Sequence, residues 1–270
     1  MIAWDLRSAR EHPALAAGEP PPGFLSAPER VLFDRLRTPR RQKEWLLGRW
    51  AAKGLVRAWL RSVGRAVGPE ALTVAPDVDG APFVLLMGEG RLPITISISH
   101  REGLALCALT LEPDAPLGAD LELCETRSPA FVEDFFTLRE AAAIARAPDP
   151  ARAATELWSL KEAALKAVRL GLRADTRRVE AGLRGVPTEG WARAAVELVL
   201  PDRRTRGQAF VRDCGDYVVS IAWLGGRLIE RPIALLRESL ALGESQIAWP
   251  ADRAGARGRA QPLRTSTVDC

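Results

Sequence analysis

Two long helix-forming segments, each accompanied by short strand-forming runs, constrain the fold of this chain most strongly. Apolar residues recur at helical spacing over residues 40–63 and again over residues 155–168. Strand-like runs surround both segments, and the run at 94–98 alternates most cleanly. This arrangement predicts an α+β fold of two similar-sized lobes, joined at the Pro-containing linker near residues 113–117.

The domain boundaries follow from the same pattern. We expect an N-terminal lobe over 1–116 and a C-terminal lobe over 117–225. Beyond them, residues 226–270 are expected to add one amphipathic helix at 233–242 and a disordered tail from 251, because that tail is rich in Arg, Ala, Gly, Ser and Thr. With 270 residues and 47% hydrophobic content, both lobes can bury a core.

Charge and cysteine content permit several classes of function and select none. The 38 Lys and Arg against 34 Asp and Glu give a net charge of +4, which allows an anionic partner without requiring one. The four cysteines form no CxxC pair, and no apolar run is long enough to span a bilayer. We therefore expect a cytoplasmic protein with reduced thiols and no membrane association.

Two carboxylates occupy one face of the strand predicted over 117–123. Asp120 and Glu122 stand two residues apart, so their side chains project from the same side of a sheet. Converging carboxylates repel each other unless a cation lies between them, and Mg²⁺ accepts such ligands together with water and phosphate. Two solvated acids on an exposed face are the competing interpretation.

A helix carries a third acid. Over 155–168, Trp158, Glu162 and Lys166 share one face, whereas an apolar stripe faces elsewhere. Glu162 and Lys166 could be an ordinary surface ion pair. The tryptophan one turn earlier favours a cleft that partly desolvates the charges.

Basic residues form a second candidate feature. Arg49, Lys53, Arg57 and Arg61 recur every four residues on the first long helix. They form either a solvated basic face or a dock for phosphates, and nucleic acid could use the same stripe. No recognition helix, zinc motif or aromatic-studded RNA-binding strand accompanies it, which disfavours nucleic acid.

A polar pair ends the strand at 94–98. Ser99 and His100 precede a Glu-Gly turn, where they have no evident packing role, so we expect them to bind an anionic ligand; a structural histidine is the alternative. No G-x-S-x-G motif or Gly-rich dinucleotide fingerprint is present, which disfavours a serine hydrolase and a dinucleotide-binding fold.

Five motifs taken in order carry a family resemblance. They are Gly48-Arg49-x-Ala51-Ala52-Lys53, Ile98-Ser99-His100-x-x-Gly103, Gly118-x-Asp120-Leu121-Glu122, Phe135-Phe136-Thr137-x-x-Glu140 and Trp158-x-x-Lys161-Glu162-Ala163-x-x-Lys166. Together, over residues 40–172, they resemble the 4′-phosphopantetheinyl transferases of the large, two-lobed type. The resemblance implies two pseudo-symmetric lobes, each an antiparallel sheet with a long helix, and an active site at the lobe interface.

The resemblance also implies a reaction and its residues. Phosphopantetheine from coenzyme A would be moved to a serine of an apo acyl or peptidyl carrier protein. Asp120, Glu122 and Glu162 would hold Mg²⁺, with Glu162 as a base for the serine proton. The implied phosphate-binding residues are Arg49, Lys53, Ser99, His100, Lys161 and Lys166. We expect a monomer that binds no nucleic acid.

One departure and two rival functions remain open. Family members often carry a basic residue in the position of Ala81, so one phosphate contact is missing or comes from Arg91 or Arg101. An inactive homologue that binds coenzyme A or carrier proteins is the first rival, and a basic nucleic-acid-binding protein is the second. The sequence does not distinguish fatty-acid, polyketide and nonribosomal-peptide carriers.

Overall fold

The structure is a computed structural model that describes residues 2–171, 174–188, 190–201, 204–225 and 233–234. Six α-helices lie within these ranges: α1 (Pro13–Ala17), α2 (Ala27–Asp34), α3 (Pro39–Ser62), α4 (Pro129–Phe135), α5 (Leu138–Arg146) and α6 (Pro150–Ala167). The strands described there are β1 (Ile2–Ser8), β2 (Leu72–Pro76), β3 (Pro82–Leu86), β4 (Gly90–Arg91), β5 (Thr95–Arg101), β6 (Leu104–Thr110), β7 (Leu117–Leu123), β8 (Val179–Thr188), β9 (Trp191–Val199), β10 (Arg204–Cys214), β11 (Tyr217–Trp223) and β12 (Ile233–Ala234).

The N-terminal lobe packs α3 against a sheet of order β12-β1-β6-β5. β6 pairs antiparallel with both β1 and β5, and a smaller antiparallel sheet, β2-β3-β4, lies alongside. The short β12 runs parallel to β1, so its two residues are strand where the sequence predicted the start of a helix over 233–242. The rest of that predicted helix and the predicted tail lie outside the described residues.

The C-terminal lobe repeats this plan with a larger sheet. Its order is β7-β11-β10-β9-β8, all neighbours are antiparallel, and α6 packs across it. Apart from the two-residue β12, each lobe thus combines an antiparallel sheet with one long helix, which confirms the predicted α+β class and the two-lobed arrangement.

The lobes meet along the sheet faces that point away from α3 and α6. Alternate residues of β1, β6, β7 and β11 build this shared core, with Trp4 packed edge-on against Trp191 at a centroid distance of 5.2 Å. β5 lies beside β7, where the hydroxyl of Ser97 accepts a hydrogen bond from the Ala119 amide at 2.9 Å. This seam sets the last residues of β5 against the acidic residues of β7.

A buried ion pair anchors α3 within its lobe. Lys53 is only 1% exposed and pairs with Glu29, which closes the capping box that Ser26 opens at the start of α2. The ammonium also donates to the carbonyls of Phe24 at 2.8 Å and Pro69 at 2.9 Å. All three protons of Lys53 therefore have acceptors, which satisfies a charge held away from water.

The C-terminal lobe contains an equivalent buried ion pair between a lysine and a capping glutamate. Lys161 on α6 is fully buried and pairs at 2.7 Å with Glu140, which closes the capping box opened by Thr137 at the start of α5. Its ammonium also donates to the carbonyls of Thr176 at 3.0 Å and Val179 at 2.8 Å. The repeated lysine, capping glutamate and pair of carbonyls give the lobes a pseudo-symmetry at the level of single residues.

Candidate active site

The acidic face of β7 lies directly against α6. Gly118 makes this approach possible, because a Cβ there would stand 1.8 Å from the carbonyl oxygen of Ala163. Asp120 and Glu122 follow at alternate positions on the same face, and Asp120 is only 3% exposed. The two carboxylates are therefore not a solvated pair on an open surface.

Lys166 neutralises the first of these acids. Its ammonium lies 2.6 Å from Oδ1 of Asp120, and it also donates to the Ser99 hydroxyl at 3.0 Å and to the Ala119 carbonyl at 3.2 Å. Ser99 in turn donates to Oδ1 of Asp120 at 3.1 Å. This cluster joins α6, β5 and β7, and it replaces the surface pair with Glu162 that was the alternative for Lys166.

Glu122 is held by a tryptophan and an arginine. The indole N–H of Trp158 donates to Oε1 at 3.2 Å, and Arg127 donates to Oε2 at 3.4 Å. Burial and the nearby Asp120 raise the pKa of Glu122, whereas Arg101, Arg127 and the indole oppose that rise. The carboxylate is oriented, and its charge is only partly compensated.

Glu162 is the least compensated acid of the set. It is 8% exposed, and within the described residues its Oε1 is a buried oxygen without a hydrogen-bond partner. Burial, followed by the charge of Asp120 and then that of Glu122, raises its pKa to about 7, against a lowering by Lys166. A carboxylate with this pKa can exchange a proton near neutral pH.

The donor set has the chemistry that a divalent cation requires, although it forms no closed cage. In the described part of the chain, no three His, Cys, Asp or Glu side chains are gathered so as to hold a metal ion by themselves. Oδ2 of Asp120 and Oε1 of Glu162 are nevertheless buried oxygens without partners. Mg²⁺ commonly takes only one or two carboxylates and completes its octahedron with water and phosphate, so these residues fit it.

His100 lies at the seam between the lobes. It is the second-last residue of β5, next to Ser99, and is packed close to Gly48, where a Cβ would lie 4.0 Å from its ring and 3.3 Å from Ile98. Burial lowers its pKa, Glu44 opposes that shift, and Lys166 and Arg41 add to it. A half-buried imidazole near two cations is suited to bind an anion.

Arg49 follows Gly48 on α3, and part of its hydrogen-bonding capacity is already used by neighbouring groups of the protein. Its guanidinium stacks on Trp45 at 3.5 Å and donates to the carbonyls of Trp45 and Val74 at 3.4 and 3.3 Å. Burial lowers its pKa to about 10. Its Nε is buried without a partner among the described residues, so the guanidinium keeps N–H donors beyond the two that bind carbonyls.

Lys53 and Lys161 do not occupy the positions predicted for them. Both were expected to contact phosphate, yet both are buried in the ion pairs described above, with every ammonium proton bound to Glu29 or Glu140 and to backbone carbonyls. Releasing either lysine would leave an unpaired buried carboxylate. Both ammonium groups therefore have a structural place here, with no proton left over for a phosphate.

The basic stripe of α3 is also not a continuous dock. With Lys53 inside the lobe and Arg57 donating to the Val67 carbonyl at 2.9 Å, it offers neither a solvated face nor a row of free cations. The two substitutes considered for the basic residue missing at Ala81 are paired as well. Arg91 lies 3.1 Å from Asp77, and Arg101 lies 3.1 Å from Glu125.

Arg127 is a site residue that sequence reasoning missed. Besides Glu122 it contacts Glu125 at 2.7 Å, and its guanidinium lies over the ring of Phe131. It stands in an irregular segment between β7 and α4, where no periodicity indicates direction. The sequence feature that could have indicated it is its position five residues after Glu122, close enough along the chain for its side chain to contact that carboxylate.

The structure also bears on the predictions about membrane spans and cysteines. No helix among the described residues is long and apolar enough to cross a membrane. No disulfide joins Cys107, Cys124 and Cys214, the cysteines that the structure describes.

Comparison with known proteins supports the superfamily that the motifs predict. Residues 116–222 match the model described as "4'-phosphopantetheinyl transferase superfamily", a range that includes Asp120, Glu122, Glu162 and Lys166. No curated protein matches the sequence significantly. A solved structure of Thermotoga maritima holo-[acyl-carrier-protein] synthase is 17% identical over 50% of this chain and 74% of its own, with a TM-score of 0.33 that supports no further conclusion.

Proposed function

We propose that this chain, whose residues 116–222 match the 4′-phosphopantetheinyl transferase superfamily, transfers phosphopantetheine from coenzyme A to a serine of an apo carrier protein. One observation carries the proposal. Asp120 on β7 lies close enough to Glu122, and to Glu162 on α6, to raise the pKa of both, and it hydrogen-bonds to Ser99 and Lys166 at the seam of the lobes. This combination of oxygen donors and cations suits a diphosphate substrate with a divalent cation.

The proposed reaction is a displacement at phosphorus. The serine oxygen of the carrier forms a bond to the phosphorus that carries the pantetheine arm, and the bond from that phosphorus to the bridging oxygen breaks. Adenosine 3′,5′-bisphosphate leaves with that oxygen, and Glu162 takes the serine proton directly or through a water molecule.

The neighbouring side chains divide the remaining tasks. Lys166, freed from Asp120 by the ligand, neutralises charge that develops on the diphosphate. Ser99, His100 and the spare donors of Arg49 bind phosphate oxygens. Asp120, Glu122 and Glu162 would hold Mg²⁺, which when bound supplies positive charge to the diphosphate oxygens.

The rival functions receive less support. A nucleic-acid-binding protein would use the stripe on α3, but Lys53 is buried and Arg49 and Arg57 bind backbone carbonyls. An inactive homologue is disfavoured because all three acids remain in place. We infer a cytoplasmic setting, since the described cysteines form no disulfide, which suits a reducing compartment.

A transfer assay tests the proposal. The chain is incubated with Mg²⁺, coenzyme A labelled with a fluorophore on its thiol, and a panel of apo carriers from fatty-acid, polyketide and nonribosomal-peptide systems. We expect one carrier class to become labelled, with loss of labelling in EDTA and in a carrier whose acceptor serine is alanine. Absence of labelling on every class, with coenzyme A bound, would instead support the inactive homologue.

A further inference from the structure

The two lobes repeat the strand that carries the acids. β1 and β7 are each 7 residues long and have an aspartate in the fourth position, Asp5 and Asp120. Each pairs antiparallel with a strand of 7 residues, and the residue opposite the aspartate is again the fourth, Cys107 in β6 and Ser220 in β11. The aspartates therefore occupy equivalent places in the two sheets.

The long helices align as well. Lys53 of α3 and Lys161 of α6 make the same buried ion pair with a capping glutamate, which fixes a residue-by-residue correspondence between the helices. The residue after the lysine is Glu162 in the C-terminal lobe and Gly54 in the N-terminal lobe. An acid of the candidate active site thus corresponds to a glycine.

That glycine faces the equivalent strand. A Cβ on Gly54 would lie 3.2 Å from Nη2 of Arg7 and 3.6 Å from Oδ2 of Asp5. Arg7 stands two residues after Asp5, as Glu122 stands two residues after Asp120. The guanidinium of Arg7 therefore lies where a side chain from position 54 would project.

Arg7 pairs with the carboxylate of the N-terminal cluster, which consists of Asp5, Arg7 and Gly54. Its Nε donates to Oδ2 of Asp5 at 2.5 Å, and its Nη1 lies 3.3 Å from Glu11. The side chains of Arg7 and Asp5 are only 4% and 2% exposed. A buried carboxylate is stable only with such a partner, so the arginine meets the need that a bound cation would otherwise meet.

The partners of the charged groups differ between the two clusters. In the C-terminal lobe three carboxylates face the ammonium of Lys166 and the guanidinium of Arg127, which also pairs with Glu125. In the N-terminal lobe the residue equivalent to Lys166 is the buried Ala58, and Arg7 pairs with both Asp5 and Glu11. Of the two clusters, the C-terminal one has buried carboxylate oxygens without a described partner, Oδ2 of Asp120 and Oε1 of Glu162, which a divalent cation could take as ligands.

We propose that Asp5, Arg7 and Gly54 form a second, closed copy of the acidic site, a latent divalent-cation site in which the Arg7 guanidinium stands in the cation's place. Gly54 leaves the space that the guanidinium occupies. The chain therefore binds one divalent cation, in the C-terminal lobe, and acidic replacements in the N-terminal lobe create a second site. The number of cations bound rests on the proposed function, whereas the equivalence of the two clusters does not.

The direct test converts the N-terminal cluster into the C-terminal one. The full chain carrying R7E, G54E and A58K is titrated with Mn²⁺, and bound ion is counted by electron paramagnetic resonance. We expect one Mn²⁺ per wild-type chain and two per variant chain. A folded variant that binds one Mn²⁺ overturns the proposal.

A reverse transplant keeps the proposal testable if that variant fails to fold. One triple variant, E122R/E162G/K166A, reproduces the closed cluster around Asp120. Its matched control, E122Q/E162G/K166A, differs only at position 122, where it lacks the guanidinium. We expect the arginine variant to melt several degrees above the control, because Asp120 regains a buried partner. Equal or lower melting of the arginine variant overturns the equivalence.

The two failures can be told apart. If the wild-type chain binds no Mn²⁺, the metal part of the proposed function fails, while the melting comparison still decides whether the clusters are equivalent. If the wild type binds one Mn²⁺ and the arginine transplant gains no stability over its control, the proposed function stands and this inference falls.

Discussion

The ammonium of Lys166 lies 2.6 Å from Oδ1 of Asp120, so the helix that carries Glu162 is tied to the strand that carries the other two acids. The same ammonium reaches Ser99 on β5, 3.0 Å away. One side chain therefore connects both lobes at the candidate site and compensates part of its negative charge.

Replacing Lys166 by methionine tests this compensation. Asp120 would keep only Ser99 as a partner for Oδ1, and Asp120 and Glu162 would face each other without the ammonium, while Glu122 kept its pairing with Arg127. We expect the metal-free variant to melt below wild type and Mg²⁺ to raise its melting temperature more than it raises that of wild type. K166R, which retains the charge, is the matched control, and an equal Mg²⁺ effect on all three proteins would contradict the account.

The raised pKa of Glu162 predicts how stability depends on pH. The folded carboxyl titrates near 7 and the unfolded one near 4.5, so between these values the folded state holds a proton that the unfolded state has lost. The stability of the metal-free protein should fall as pH rises through this window and stay low above it.

Glu162→Gln should remove part of the decrease in the free energy of unfolding that we expect as pH rises. Urea denaturation at pH 5 and pH 8 measures the two free energies of unfolding, with E180Q on the exposed face of β8 as control. We expect a smaller difference between the two pH values in E162Q than in wild type and E180Q. Equal differences in all three proteins would show that Glu162 ionises normally.

The buried lysines predict a stability effect separate from ligand binding. Lys161→Met leaves Glu140 charged and unpaired in the core, which costs about 3–5 kcal/mol. The double variant K161M/E140Q should recover much of this loss, since no buried charge remains. Urea denaturation measures both, and a loss below about 1 kcal/mol in K161M would contradict the structural role.

Gly118 predicts a steric requirement at the site. Adding a methyl group places a Cβ 1.8 Å from the Ala163 carbonyl, so G118A must push β7 and α6 apart. We expect a loss of at least about 1–3 kcal/mol, the range typical of overpacking. At Gly182, in contrast, a Cβ meets nothing within 4 Å, and G182A should be close to neutral. Equal stability of the two variants would refute the close approach.

Local patterns predicted the elements well because their signals are local. Residues 40–63 form α3 within one residue at each end, and the strand over 117–123 matches β7. α6 begins at Pro150 rather than 155, since Asp149 caps the helix and Pro150 occupies its first turn, a signal that the apolar periodicity does not include. The acid pair faced one side of the sheet as the spacing required.

Burial of charged residues was the part that the sequence left undetermined. Lys53 and Lys161 lie at spacings typical of surface cations, and their burial depends on capping glutamates from other helices and on carbonyls distant along the chain. The same holds for Arg127, whose target Glu122 is reached through an irregular segment. Such partners become evident only when the lobes are assembled.

The most direct test of the central claim is intact-mass spectrometry of apo carrier proteins incubated with this chain, coenzyme A and Mg²⁺. The account predicts that a carrier gains one phosphopantetheine with wild type, that E162Q abolishes the gain, and that E156Q, a nearby acid on α6, preserves it. A carrier mass that stays unchanged with wild type across the panel, or a gain that persists in E162Q, would contradict it.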